Sequence, residues 1–174
     1  MSKYYVLMTM RELLDETMAA WERERPDLDL DAMGTALRLN QLMNAALKSI
    51  DSIFKPHGIT VGEFDVLAAL RRGGSGTVLT PTSLARVSMV SPAGMTNRLN
   101  RLEAAGLIER RQDPTDRRGS LVELTAEGRR VADRAVEDVV AAENAIFAIL
   151  SKAERERLDR ALDRLIANLE QQQG

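Results

Sequence analysis

The chain has 174 residues, with 26 acidic and 24 Lys or Arg side chains, a single histidine and no cysteine. Its apolar and charged fractions are those of a folded globular chain, forming one compact domain or two small ones sharing a core. The lack of cysteine excludes disulfides, thiolate metal sites and cysteine nucleophiles, and the slight negative net charge argues weakly against a polyanion as partner.

No apolar run is long enough to span a bilayer, and the N-terminal MSKYYVLMTMRELLDE is too briefly apolar, and too soon acidic, for a signal peptide. A cytoplasmic protein without membrane association is expected. The distribution of charge says more than its sum. Between Thr9 and Asp31 eight acids stand against three arginines, whereas from Arg86 to Arg101 every charged residue is an arginine. Such segregation leaves a basic surface on an acidic protein, and a polyanion responds to the potential within a Debye length.

A first helix is expected from about Met10 to Glu24, with Met10, Leu14, Met18 and Trp21 on one face, ended by PDLDLD. A long amphipathic helix follows, its stripe running through Leu39, Leu42, Met43, Ala46, Leu47, Ile50 and Ile53 to a stop at Lys55-Pro56-His57-Gly58. Beside that proline and glycine, His57 is read as capping a helix end or meeting solvent, and alone it builds no metal site. The methionines are read as core filler, although Met8, Met10, Met18, Met33 and Met43 could also adapt to a ligand. Thr60 and Glu63 have the spacing of a capping box that restarts helix through Phe64 and Leu67, and Arg72-Gly73-Gly74-Ser75-Gly76 reads as a loop.

Thr80-Pro81 and Ser91-Pro92 each place a hydroxyl at an N-cap and a proline in the first turn of a short helix. With about four residues between them, two helices too short to be stable alone have the layout of a helix-turn-helix. Leu107 to Arg111 and Ser120 to Leu124 read as strands around the turn-rich DPTDRRG, giving a two-stranded wing. A second long helix begins at Thr125-Ala126-Glu127-Gly128, with Val131, Ala135, Val139, Ala142 and Ile146 as its apolar line. The Ser151/Glu154 capping box then opens a last helix striped by Leu158, Leu162, Leu165, Ile166 and Leu169.

The expected class is mainly α with a small β-wing: a winged helix-turn-helix over 59–125, flanked by N-terminal helices over 1–58 and C-terminal helices over 126–174. The flanking stripes exceed what the small central module can cover, which points to a homodimer built on these helices.

On the helix starting at Ser91, the positions Met95, Leu99 and Leu102 share the face that must be buried. Ala93, Thr96, Asn97, Asn100 and Arg101 share the opposite one. Small residues near the N-terminus, hydrogen-bonding amides and hydroxyls, and an arginine are what a helix in a major groove needs. A merely solvated face would usually carry Glu and Lys, and this one has no acid before Glu103. Arg117 and Arg118 at the hairpin tip suit a minor groove, with Asp116 able to orient a guanidinium; a plain charged turn remains the alternative.

The run MVSPAGMTNRLNRLEAAGLIERRQDPTDRRGSLVELTAEG resembles the recognition helix and wing of the MarR family, including an Asp-x-Arg wing pattern at Asp116 and Arg118. The resemblance covers nearly the whole chain. It implies a homodimeric regulator of transcription, bound to a palindromic operator in double-stranded DNA, with Ser91, Ala93, Thr96, Asn97 and Arg101 at the major groove and Arg118 in the minor groove. Thr82, Ser83 and Arg86 on the preceding helix are candidates for phosphate contacts.

Asp65 interrupts the apolar Phe64-Asp65-Val66-Leu67-Ala68-Ala69-Leu70. It needs a cation or a ligand donor, and Arg98, at the flank of the recognition helix, is the suitable partner. A structural salt bridge and a ligand site are both open readings. The segments WERERPDLD, GEFDVLAAL and GMTNR resemble the urate-responsive branch of the family. That resemblance implies that Trp21, Asp65 and Arg98 bind a small aromatic effector such as urate or a phenolic compound. An indole can stack on a flat ring while a carboxylate and a guanidinium pair with its edges. Gly73 stands where that branch has asparagine, which leaves other purines, phenolic acids and aromatic acyl thioesters open. No cofactor is expected. A winged-helix module that binds protein rather than DNA is the alternative function, and with one histidine and no cysteine an enzyme is not expected.

Overall fold

A computed structural model describes residues 9–114 and 119–173. In chain order the elements are α1 (Met10–Glu24), α2 (Asp31–Phe54), α3 (Val61–Arg72), α4 (Pro81–Val87), α5 (Pro92–Ala104), β1 (Ile108–Gln112), β2 (Ser120–Leu124), α6 (Ala126–Phe147) and α7 (Lys152–Gln173). Mainly helical with a small antiparallel sheet, this is the class expected. The chain divides into two compact units, the first ending at Ser49 and the second beginning at Ile50.

In the first unit, α1 starts at a capping box in which the Glu12 amide donates to Thr9 Oγ1 (3.2 Å) and the Thr9 amide donates back to the Glu12 carboxylate (2.7 Å). Only Leu14 and Leu30 are buried apolar side chains of this unit among the described residues. Met10, Leu13, Trp21, Leu42, Met43 and Leu47 remain between 40% and 57% exposed. The stripe expected on α2 is therefore helical in spacing, with Leu42, Met43 and Leu47 uncovered within one chain and Ile50 packed against the main core.

The second unit carries the main core, where Phe54, Val66, Leu67, Leu84, Met95, Leu99 and Val122 are at most 1% exposed. Burying each such side chain contributes about 2 kcal/mol. The sequence locks the elements around that core through their ends. Thr60, Thr80, Ser91 and Thr125 each accept an amide hydrogen bond from the third residue of the helix they cap, replacing a partner the first turn lacks. β1 and β2 pair with Ile108 opposite Leu124 and Gln112 opposite Ser120. Leu79 adds two backbone hydrogen bonds to Val122 (3.0 and 2.9 Å), a third segment along the wing that the sequence reading lacked.

His57 departs from its expected role. Its side chain is only 10% exposed, and Nε2 lies 2.7 Å from the Asp138 carboxylate of α6, so it meets an acid 81 residues away rather than solvent. Along α7 the later part of the stripe is uncovered: Leu165, Ile166 and Leu169 are 51%, 54% and 55% exposed, while Leu158 and Leu162 are partly buried, and Ile149 before the helix is 87% exposed. No helix of the described residues is long and apolar enough to cross a membrane.

Candidate nucleic-acid interface and effector site

The helix pair α4 and α5 is joined by a turn over residues 88–91, in which Val90 donates a backbone hydrogen bond to Ala85 (3.0 Å). Met89 sits in the left-handed region at φ 49° with its side chain 95% exposed. For an L-residue with a side chain this conformation costs about 1 to 2 kcal/mol. Ser91 then caps α5, its hydroxyl accepting from the Gly94 amide at 3.2 Å.

Met95, Leu99 and Leu102 are each 1% exposed, which holds α5 by one face. Ser91, Ala93, Thr96, Asn97, Asn100 and Arg101 are exposed on the other, as the spacing requires. Their hydrogen bonding is unequal. Thr96 donates its hydroxyl to the Pro92 carbonyl (3.0 Å), so toward any ligand that oxygen presents lone pairs only. Asn100 is occupied: its Oδ1 accepts from Arg110 of β1 (2.5 Å), which also donates to Glu103 (2.9 Å) and so ties the helix to the wing. The Asn97 side chain is exposed and has no hydrogen-bond partner among the described residues, so both amide functions are available.

On α4, Thr82 and Arg86 are exposed, while Ser83 is part-buried in the cap of its own helix, its amide donating to Thr80 Oγ1 (3.1 Å). The expected wing contacts Asp116, Arg117 and Arg118 lie outside the described residues, as does Met8.

Asp65 and Arg98 are brought together. Arg98 Nη1 lies 3.6 Å from Asp65 Oδ2, too long for a hydrogen bond, and donates instead to the Gly62 carbonyl at 3.1 Å. The guanidinium rests flat on Gly62, where an added Cβ would lie 2.6 Å from Arg98 Cζ. Arg98 is 23% exposed and Asp65 44%, so this carboxylate is half-buried rather than enclosed. Partial burial raises the Asp65 carboxyl above its ordinary pKa, opposed by the charges of Arg98 and Arg72. Asp65 and Arg98 thus form a long, partly exposed pair whose edges a polar ligand can reach.

Trp21 belongs to the first unit, where it is 45% exposed and lines an open concavity of about 630 Å³ with Leu13, Thr17 and Ala20. Gly73, the departure noted above, closes α3 against Thr77: a Cβ there would lie 2.4 Å from the Thr77 side chain. An asparagine at this position requires Thr77 to move.

Two further ion pairs join helices of the second unit. Arg71 pairs with Asp133 between α3 and α6. Arg101 of α5 pairs through Nε with Glu63 Oε1 of α3 at 2.8 Å. The sequence marks Glu63 only as a helix cap, and nothing local in it points to a partner for the second oxygen. Among the described residues no group of three His, Asp or Glu side chains is placed to hold a metal.

Residues 57–119 match the sequence profile of the MarR family. The HTH-type transcriptional regulator PecS of Dickeya dadantii is 35% identical over 159 residues, covering 90% of this chain and 94% of that protein. Among solved structures, wild-type MarR from E. coli in its apo form superposes with a TM-score of 0.63 at 28% identity, over 74% of this chain and 93% of that one. BpsR of Bordetella bronchiseptica, in a structure on regulation of its DNA binding by 6-hydroxynicotinic acid, gives a TM-score of 0.59 at 26% identity, over 74% and 98% of the two chains.

Proposed function

Because this chain belongs to the MarR family of transcription regulators, we propose that it is a cytoplasmic repressor that binds a palindromic DNA operator as a homodimer and is released by a small aromatic ligand. The observation that carries the DNA reading is the outward face of α5. Ser91, Ala93, Thr96, Asn97 and Arg101 are exposed together, without an acid, on a helix whose opposite face is anchored in the core. Asn97 can donate and accept in the plane of one base, Thr96 offers an acceptor, and Arg101 a charged fork. Thr82, Ser83 and Arg86 serve phosphates, and Arg117 and Arg118 the minor groove at the wing, with Asp116 orienting a guanidinium.

The uncovered leucines and isoleucines of α7 and the exposed apolar side chains of α1 and α2 support a second copy as partner. In this reading the helices over 1–58 and 126–174 serve dimerisation and 59–125 serves DNA. Two such modules occupy major grooves about one helical turn apart, so any change in their spacing changes affinity.

Asp65 and Arg98 are the centre of the effector site. A planar ligand with N–H and oxygen edges, such as urate or a phenolic acid, completes the long Asp65–Arg98 pair and displaces Arg98, which is part of the reading helix. The relative responsive to 6-hydroxynicotinic acid favours a heteroaromatic acid among the candidates. Trp21 joins the ligand set through the resemblance of its segment. Release follows only if the ligand prefers the conformer with the wrong spacing.

Anisotropy titration of the full chain against a duplex selected from a random pool tests the first part. Affinity should fall steeply with salt, with a log–log slope of about −0.9 per phosphate neutralised. Salt-independent binding, or no enriched sequence, favours the protein-interaction module instead. Thermal-shift screening of urate, phenolic acids and 6-hydroxynicotinate tests the second part: Arg98→Ala should abolish the stabilisation, and Trp21→Ala should weaken it without changing DNA affinity.

A further inference from the structure

Glu63 is the buried charged side chain among the described residues, with 6% of its surface exposed, and its carboxylate has two distinct sets of partners. Oε2 accepts from the Thr60 amide (2.7 Å) and the Thr60 hydroxyl (2.9 Å), which closes the first turn of α3. Oε1 forms an ion pair with Arg101 Nε of α5 at 2.8 Å, a close approach of charges whose angle is not that of a hydrogen bond. A carboxylate so far from water is costly unless paired, and here the pairing is to a residue whose own side chain is 62% exposed on the proposed DNA face.

The atom used matters. A guanidinium offers donors along its Nε edge and along the edge formed by its two terminal amino groups. Pairing through Nε leaves the terminal edge of this 62% exposed side chain available, and such an edge makes bidentate bonds with guanine or phosphate. An unpaired arginine on a helix surface samples many rotamers and loses that freedom when it docks. An arginine already held at Nε loses less.

Resting on the DNA-binding function proposed above, we infer that Glu63 is a positioning residue for DNA recognition: its buried carboxylate holds Arg101 by Nε and aims the terminal guanidinium edge at the duplex. Enclosed between the α3 cap and Arg101, the carboxylate contributes to DNA affinity despite its charge, because it presents little of itself to the phosphates. The same first turn of α3 carries Gly62, whose carbonyl accepts from Arg98, so two arginines one helical turn apart on α5 are set by consecutive residues of α3.

The test is a double-mutant cycle on the full-length protein, read as anisotropy with the pool-selected duplex and with a scrambled duplex of equal length. Glu63→Gln keeps the acceptor that the cap needs and removes the charge. It should weaken selected-duplex binding about fivefold, the worth of one immobilised side chain, and change scrambled-duplex binding less. In an Arg101→Ala background the same substitution should have no further effect on selected-duplex binding. An equal loss in both backgrounds, an unchanged affinity, or tighter binding by Glu63→Gln overturns the positioning role while leaving the DNA reading intact. Absence of any salt-dependent DNA binding by the wild type overturns both. If Glu63→Gln does not fold, the Arg101 Nε–H resonance of the free wild type decides. An ordered Nε–H vector in relaxation measurements supports the role, and one as mobile as that of a free arginine overturns it.

Discussion

Replacing Gly62 by alanine separates the stability of this fold from the placement of Arg98. An alanine Cβ would lie 2.6 Å from Arg98 Cζ, 2.7 Å from Nε and 2.8 Å from Nη2. Heavy atoms in contact prefer a separation of about 3.5 Å, so the guanidinium must retreat by roughly 1 Å. It can do so, because it is the far end of a flexible chain and is already 23% exposed. The retreat gives up the 3.1 Å hydrogen bond to the Gly62 carbonyl and lengthens the 3.6 Å approach to Asp65. A hydrogen bond from a charged donor is worth about 1.5 kcal/mol at the low end, which suits a group that water can reach. Alanine in place of glycine in a helix returns up to about 1 kcal/mol. Net destabilisation should therefore stay below about 1 kcal/mol in urea unfolding, while the thermal shift produced by the best ligand of the urate and phenolic acid panel collapses. A loss of more than about 3 kcal/mol would show that Arg98 is rigidly packed, and an undiminished ligand shift would show that its position is irrelevant to the site.

Gly128→Ala should be far more costly, since its Cβ would lie 1.8 Å from the backbone oxygen of Leu107, which cannot swing aside. That oxygen also accepts from the Thr125 amide (3.1 Å), so moving α6 away costs a hydrogen bond and a helix cap, together about 2 kcal/mol, before any loss of packing at Val131 and Ala132. Urea midpoints compared with Gly62→Ala check the ranking. Asp65 gives a pH signature: its carboxyl binds a proton more tightly folded than unfolded, so wild-type stability is lost relative to Asp65→Asn as pH rises from about 4 through the raised pKa. Unfolding measured at intervals from pH 3.5 to 7 should find Asp65→Asn increasingly the more stable, with the gap closing at the acid end.

Much of the exposed face of α5 was legible in the sequence because local chemistry determines it. The N-caps at Thr60, Thr80, Ser91 and Thr125 lie within three residues of the amides they satisfy, and the spacing of Met95, Leu99 and Leu102 assigns α5 its inner face wherever the helix packs. The pairing of Asp65 with Arg98 is also legible, since an acid within an apolar run demands a cation and Arg98 lies at the flank of the recognition helix.

What tertiary structure alone decided was the second partner of each polar group. Glu63 reaches Arg101 across 38 positions of sequence, Arg110 reaches Asn100, His57 reaches Asp138, and Leu79 joins the wing. Helical period and capping patterns extend over one or two turns, so they say which side of an element is buried and where it begins. They contain nothing about which charge from another element will arrive at a free oxygen, because that depends on how helices cross, and the crossing is settled by the packing of the whole core.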